Sequence, residues 1–337
     1  MVQDVVVPDL PKMPVTGRDY PQTWGQFHDW FTDEVACRRY LEGIRWRNGF
    51  VCPRCGEAGK AFQSSRDRWI CRHCRHQSSV TAGTVFDKTR TPLRSWLAAV
   101  WYITNQKQGV TALGLQRVLG LGSYQTAWAM LHRLRRAMIR PGRERLHGVV
   151  EVDECFIGRS PPNSTRDTKK KQKLTERRKA HCSIVTIAVE IKKPKGFGRI
   201  RLRRVADKSA RSLVPFIRDS VQPRSVVRTD GSAAYRLLPR HGYRCEKFVM
   251  LGAEQPAHVA LPGVHRVASL LKRWLLGTHQ GAVKPKQLDY YLDEFTFRFN
   301  RRTSRSRGLL FYRMLEQALV TEPVTYAQIA GKDKHNI

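Results

Sequence analysis

Apolar positions along the chain change their period twice. From Thr23 to Gly49 they recur every three, four or six residues (Trp24, Phe27, Phe31, Val35, Leu41), the spacing of an amphipathic helix. Pro92 to Ile103 reads the same way, and a further helix spans Thr111 to Leu119. After the turn Gly120-Leu121-Gly122-Ser123, a longer helix runs from Tyr124 to Ile139. Ala127, Leu131, Leu134 and Met138 form its apolar stripe, and Ser123 is a natural N-cap. Pro141-Gly142 closes the segment. Beyond Gly148 the period shortens to that of strands: Val149–Val152, His181–Val189, Ile200–Val205, Ser225–Asp230 and Tyr243–Met250, with helices at Lys208–Asp219 and Ser232–Leu238. The helical period returns at Gly263–Leu276 and in an amphipathic pair within Pro285–Leu319.

A chain of 337 residues is too long for one ordinary domain, and the pattern predicts a multidomain α+β protein. The expected parts are a helical lead-in (1–47), a small cysteine-bearing unit (48–80), a helix-turn-helix (90–141), an α/β domain (147–280) and a C-terminal helical extension (281–320). Three strands, helix, strand, helix, strand is the order of the ribonuclease-H-like fold, and that order sets Asp153 and Asp230 on neighbouring strands. Helix, Gly-containing turn, helix is the pattern of a helix-turn-helix, whose second helix can enter the major groove of DNA. Tyr124 and Gln125 would then face base edges, while Arg133, Arg135 and Arg136, off the apolar stripe, would face phosphates. An ordinary αα-hairpin has the same pattern.

Cysteine usage sharpens the second part. Cys52-Pro-Arg-Cys55 and Cys71-Arg-His-Cys74 are separated by fifteen residues, the spacing of a zinc ribbon. Four thiolates complete a tetrahedral shell, so the Zn²⁺ is structural, and His73 and His76 are not needed as ligands. The remaining cysteines (Cys37, Cys155, Cys182, Cys245) are scattered singly, which suits a reducing cytoplasm better than a disulfide scaffold. The N-terminus carries Asp4 and Asp9 and lacks the basic start and apolar run of a signal peptide. No apolar run approaches a membrane span, so a cytoplasmic chain with no membrane partner is expected.

Charge adds a partner. Lys+Arg number 61 against 28 Asp+Glu, a formal net charge of +33, which favours nucleic acid through counterion release. The basic stretch Arg159–Lys179, with Lys169-Lys170-Lys171, reads as a solvated loop that could also track a DNA strand.

Candidate chemistry centres on Gly148–Gly158, where an apolar run ends on Asp153 and Glu154. Alternate side chains of an edge strand facing water would explain these acids. So would a catalytic metal, since buried carboxylates are costly unless paired or metal-bound. A second strand ends on Asp230. On the helix Gly263–Leu276, His265 and Lys272 lie seven apart and share a face.

Taken together, CPRCG, CRHC, SVTAGTVF, LGLGSYQTAWAMLHRLRRAM, VEVDECFIG, RTDGSAAY, LLKRWLLGTHQGAVKPKQL and YLDEFTFRFNRR resemble the bacterial insertion-sequence transposases of the DDE superfamily that carry an N-terminal zinc ribbon (ISXO2-like transposase domain). The resemblance covers Trp24 to about Leu315. It implies an enzyme with a ribonuclease-H-like domain that cuts and joins double-stranded DNA at transposon terminal repeats, using Mg²⁺ or Mn²⁺, as a homo-oligomer on nucleoid DNA. By position, Asp153 and Asp230 match the first two catalytic carboxylates and Lys272 the helix lysine that contacts DNA phosphate, with Arg273 beside it. Glu154 would support its neighbour, and the third metal position, Glu or Asn in many members, is here His265. Imidazole is a poor ligand for Mg²⁺ and an acceptable one for Mn²⁺, and it could also shuttle protons. Glu254 is the nearest substitute carboxylate. The departure leaves two alternatives: a transposase-derived DNA-binding regulator with weak or no catalysis, and a nuclease or resolvase that cuts without joining.

Overall fold

A computed structural model describes residues 13–65, 67–158, 182–192, 194, 196–248, 261–281 and 283–331. The basic loop with Lys169–Lys171, and Glu254, lie outside the described residues. The chain forms two compact units. One comprises the stretch ending at Lys107 with Ala112–Ala137 and Ser304–Val324; the other comprises Gln108–Thr111, Met138–Thr303 and the stretch from Thr325.

In the first unit, the helical pattern of Thr23–Gly49 is two helices, α1 (Trp24–Trp30) and α2 (Glu34–Arg45). Each has its own cap: Thr23 Oγ1 accepts the Gln26 amide at 3.2 Å, and Asp33 Oδ1 accepts the Ala36 amide at 2.7 Å. Of the expected stripe, Phe27, Phe31 and Leu41 are buried, joined by Cys37, whereas Trp24 and Val35 are exposed, because the break between α1 and α2 resets the helical phase. A three-stranded antiparallel sheet follows, β1 (Ala61–Gln63), β2 (Trp69–Cys71) and β3 (Gln77–Ser78), then α3 (Leu93–Asn105), α4 (Ala112–Leu119) and α5 (Tyr124–Ala137).

The second unit is built on β4 (Val149–Gly158), β5 (Cys182–Ile191), β6 (Phe197–Val205), α6 (Ala210–Ser220), β7 (Val226–Thr229), β8 (Arg244–Lys247), α7 (Pro262–His279) and α8 (Leu288–Asn300). Its sheet order is β6-β5-β4-β7-β8, with β4 central, antiparallel to β5 and parallel to β7. This mixed α/β arrangement accords with the expected ribonuclease-H-like architecture. Val150 and Val152 pack with Leu213, Phe216 and Ile217 of α6, while Cys155 packs with Val264, Val267 and Leu271 of α7. Strand alternation therefore turns Glu151, Asp153 and Cys155 toward α7, and a one-residue slip would send all three to the other face.

Two expectations need correction. The short helix foreseen over Ser232–Leu238 is a pair of 3₁₀ turns, Ala233–Tyr235 and Leu238–His241, closed by Gly242 at φ +81°. The C-terminal extension foreseen as one piece is divided. Helix α8 packs on β6 in the second unit, whereas α9 (Arg307–Val320) belongs to the first. There its Phe311 ring lies within 5.4–6.3 Å of the rings of Phe27, Phe31, Tyr40 and Trp101. A short α10 (Tyr326–Ala330) ends the described chain in the second unit.

Candidate active site and metal centre

Register brings the two aspartates together. Strand β4 pairs with β7 as Val149↔Val226, Val150↔Val227 and Glu151↔Arg228. Continued two residues further, the same register sets Asp153 opposite Asp230, just past the end of β7. Gly231 turns the chain there at φ +83°, and Asp230 Oδ1 accepts the Ser232 amide at 3.0 Å. Asp153 Oδ1 accepts the Glu154 amide at 2.7 Å. Burial pushes the Asp153 carboxyl above the ordinary carboxylate range. The Glu154 amide opposes that rise, the charges of Glu154 and Asp230 add to it, and His265 offsets part of it.

Helix α7 closes the other side. Asp153, Cys155, Ile187, His265, Ala268 and Lys272 line a cleft of about 190 Å³. Positions 265, 268 and 272 follow the helical period, so His265 and Lys272 share the face that the sequence assigns them. The His265 Nε2 is buried and has no hydrogen-bond partner among the described residues, while Lys272 and Arg273 are exposed. Burial pushes the Cys155 thiol up to about 12, which favours the protonated thiol beside the acids.

Glu154 also lines the cleft and bonds its neighbour through its amide, but its side chain is held elsewhere. Alternation turns its side chain to the opposite sheet face from Asp153. There it accepts the Tyr235 hydroxyl and pairs with Lys208 at 3.3 Å. Its link to Asp153 runs through its backbone amide. Glu151, not singled out from sequence, faces α7, and its Oε2 accepts the Gly263 and Val264 amides at 2.7 and 3.1 Å. The available signal was the two-residue step from Glu151 to Asp153, which puts both acids on one face.

The four knuckle cysteines converge independently. Cys52 and Cys74 sulfurs are 3.6 Å apart and those of Cys55 and Cys71 are 3.7 Å apart, with all four within 4.8 Å. Thiolates bound tetrahedrally to zinc at about 2.3 Å stand about 3.8 Å apart, so the donor set fits Zn²⁺. The two knuckles are built alike. Each first cysteine accepts the amide four residues on (Gly56 and Arg75), and those residues adopt φ +74° and +57°. Phe50, Trp46 and Trp69 pack beneath the cluster. Among the described residues, no other group of three or more Cys, His, Asp or Glu side chains brings all its donor atoms that close.

Comparison with known proteins matches both regions. Residues 145–300 match the ISXO2-like transposase domain, and residues 32–77 match the transposase zinc-ribbon domain. Residues 145–300 belong to the ISXO2-like transposase domain family. A protein of Halobacterium salinarum described as an uncharacterized protein in transposable element ISH50 is 28% identical over 276 residues, covering 80% of this chain and 91% of that protein. The transposase domain thus contains the β4–β7 acids and the cleft face of α7, and the zinc-ribbon match contains all four knuckle cysteines.

Between these two matches, α4 and α5 are joined by the expected turn, with Ser123 Oγ accepting the Gln125 amide at 3.2 Å. Tyr124 is 51% exposed and Gln125 is also exposed. Arg133 and Arg136 are half-buried, and burial pulls the Arg133 guanidinium below its usual range. Arg135 corrects the sequence reading: it is 2% exposed, packed near the buried His132, and is not on a surface that could meet phosphate. No described helix is long and apolar enough to cross a membrane.

Proposed function

We propose that this chain is an insertion-sequence transposase that binds the terminal repeats of its element and cuts and joins DNA strands in a metal-dependent reaction. The observation that carries the reading is that the Asp153 carboxyl, two residues beyond the Glu151↔Arg228 pair, feels the charge of Asp230, together with a buried His265 Nε2 that has no hydrogen-bond partner among the described residues. Two carboxylates and one imidazole form a donor set suited to Mn²⁺ more than to Mg²⁺. When bound, the divalent metal lowers the pKa of an attacking water or 3′-hydroxyl and stabilises the leaving oxygen.

Asp153, Asp230 and His265 would hold the metal between the end of the β4–β7 pair and α7. Lys272, exposed at the cleft edge, holds the phosphate near the scissile bond as a point charge. Zinc ribbon and α4–α5 supply end recognition, with Tyr124 and Gln125 toward bases and Arg133, Arg136 and Arg273 toward phosphates. The active form is a homo-oligomer assembled on paired ends.

The test is a cleavage and joining assay on labelled duplexes bearing the element's end, with Mn²⁺ or Mg²⁺. Cut and joined products that vanish in Asp153→Asn support the reading. Cutting without joining would instead make the chain a nuclease, and end binding with no cutting in either metal would make it a regulator.

A further inference from the structure

The third part of the site arrives late in the chain. His265 and Lys272 lie on α7, whose start follows residues far from the β4–β7 acids in sequence, so something must fix the height of this helix over the sheet. Among the described residues, the Glu151 side chain makes the hydrogen bonds that join the acid-bearing strand to the helix backbone. It is 1% exposed, near the start of β4, and its Oε2 accepts two of the amides that the first turn of a helix leaves without internal partners. Val264, one of the two donors, immediately precedes His265.

The approach is close enough to dictate the residue on the helix side. A Cβ at Gly263 would fall 2.8 Å from Glu151 Oε2 and 2.9 Å from Ile191 Cδ1, so any larger residue must displace the carboxylate that clasps the helix, the Ile191 methyl, or both. Pro262, at the start of α7, has no amide hydrogen to compete for the carboxylate. Glu151 stands two residues before Asp153 on the same face of β4. One rigid strand segment therefore carries an acid for the metal and an anchor for the helix bearing the opposing ligand.

We infer that Glu151 is a positioning residue for catalysis: by clasping the Gly263 and Val264 amides it sets the distance of His265 and Lys272 from Asp153. The inference rests on the transposase reading above. A misplacement of about 1 Å can cost about 100-fold in rate, so the clasp acts on the chemical step and not on end binding.

The experiment compares Glu151→Leu, Glu151→Gln and Gly263→Ala in the full-length protein. It measures single-turnover cleavage, end affinity and amide hydrogen exchange without added metal. In Glu151→Leu, exchange at Gly263 and Val264 should rise about tenfold. Cleavage should fall about 100-fold, with end affinity and zinc content unchanged. Glu151→Gln, which keeps a carbonyl acceptor, should restore most of the rate, and this variant carries the test if the leucine variant does not fold. Gly263→Ala should reproduce the leucine phenotype from the helix side, and combining it with Glu151→Leu should add little. Wild-type cleavage by Glu151→Leu beside an inactive Asp153→Asn overturns this inference alone. Wild-type cleavage by Asp153→Asn overturns the transposase reading, and Glu151 then positions nothing catalytic.

Discussion

The hydroxyl of Tyr235 donates to Glu154, joining the 3₁₀ turn that follows Asp230 to the residue next to Asp153. Burial, reinforced by the Glu154 charge, raises the hydroxyl above its ordinary range, so it stays a donor. Both partners are enclosed: Tyr235 is 2% exposed and the Glu154 side chain 3%. On the α6 face of the sheet this bond ties the carriers of the two aspartates, as Glu151 ties β4 to α7 on the other face.

Tyr235→Phe leaves a buried carboxylate short of one donor. Denaturant unfolding should reveal a loss of about 1.5–3 kcal/mol, the range for a hydrogen bond to a charged group. Lys208→Ala should cost no more than about 1 kcal/mol, because that side chain is 45% exposed and screened by solvent. Equal costs for the two variants would contradict the structural ranking.

In α5 the two kinds of polar residue separate by burial. Gln125→Ala should weaken binding to the cognate end by about 1–3 kcal/mol relative to unrelated DNA, with unfolding unchanged. Arg135→Ala should destabilise the first unit, because it empties a site that is 2% exposed. A stable Arg135→Ala protein with reduced DNA affinity would return this arginine to the DNA-facing surface.

Zinc holds the ribbon together if the four thiolates are its ligands. Chelation, or Cys52→Ser, should release the metal and abolish end binding, while the sheet of the second unit retains its circular dichroism. Metal content measured beside binding checks this: a zinc-free protein that binds its end normally refutes it.

Acid stability should carry the mark of Glu190. Burial works to raise this carboxyl, but hydrogen bonds from the Arg199 side chain and amide and from the His147 amide outweigh it and hold the pKa below the usual range. A group depressed in the folded state contributes stability above its unfolded value near about 4.3, and that contribution is lost as pH falls through the folded value. Unfolding curves taken from neutral pH into this acid range should therefore fall less steeply for Glu190→Gln than for the wild type. Parallel curves would remove Glu190 from the account.

Sequence makes the placement of Asp153 and Asp230 legible because two apolar runs each end on a carboxylate, and strand order sets those runs side by side. The knuckles are legible because their spacing is local. Glu151 is not, since a glutamate within a strand looks like any alternate position until a helix 112 residues away arrives above it. Arg135 misleads for a related reason. Helix α5 packs against α3, α4 and α9, so its buried surface is wider than the apolar stripe drawn from residue types. The path of α9 is hidden too, because Phe311 announces an apolar face without naming the aromatic cluster that receives it.

Mn²⁺ binding, titrated by electron paramagnetic resonance in the zinc-loaded protein, tests the central claim most directly. The shared site at Asp153 and Asp230 predicts that Asp153→Asn and Asp230→Asn each abolish the same tight binding, and that the double variant is no worse than either alone. Tight Mn²⁺ binding that survives Asp230→Asn would contradict it.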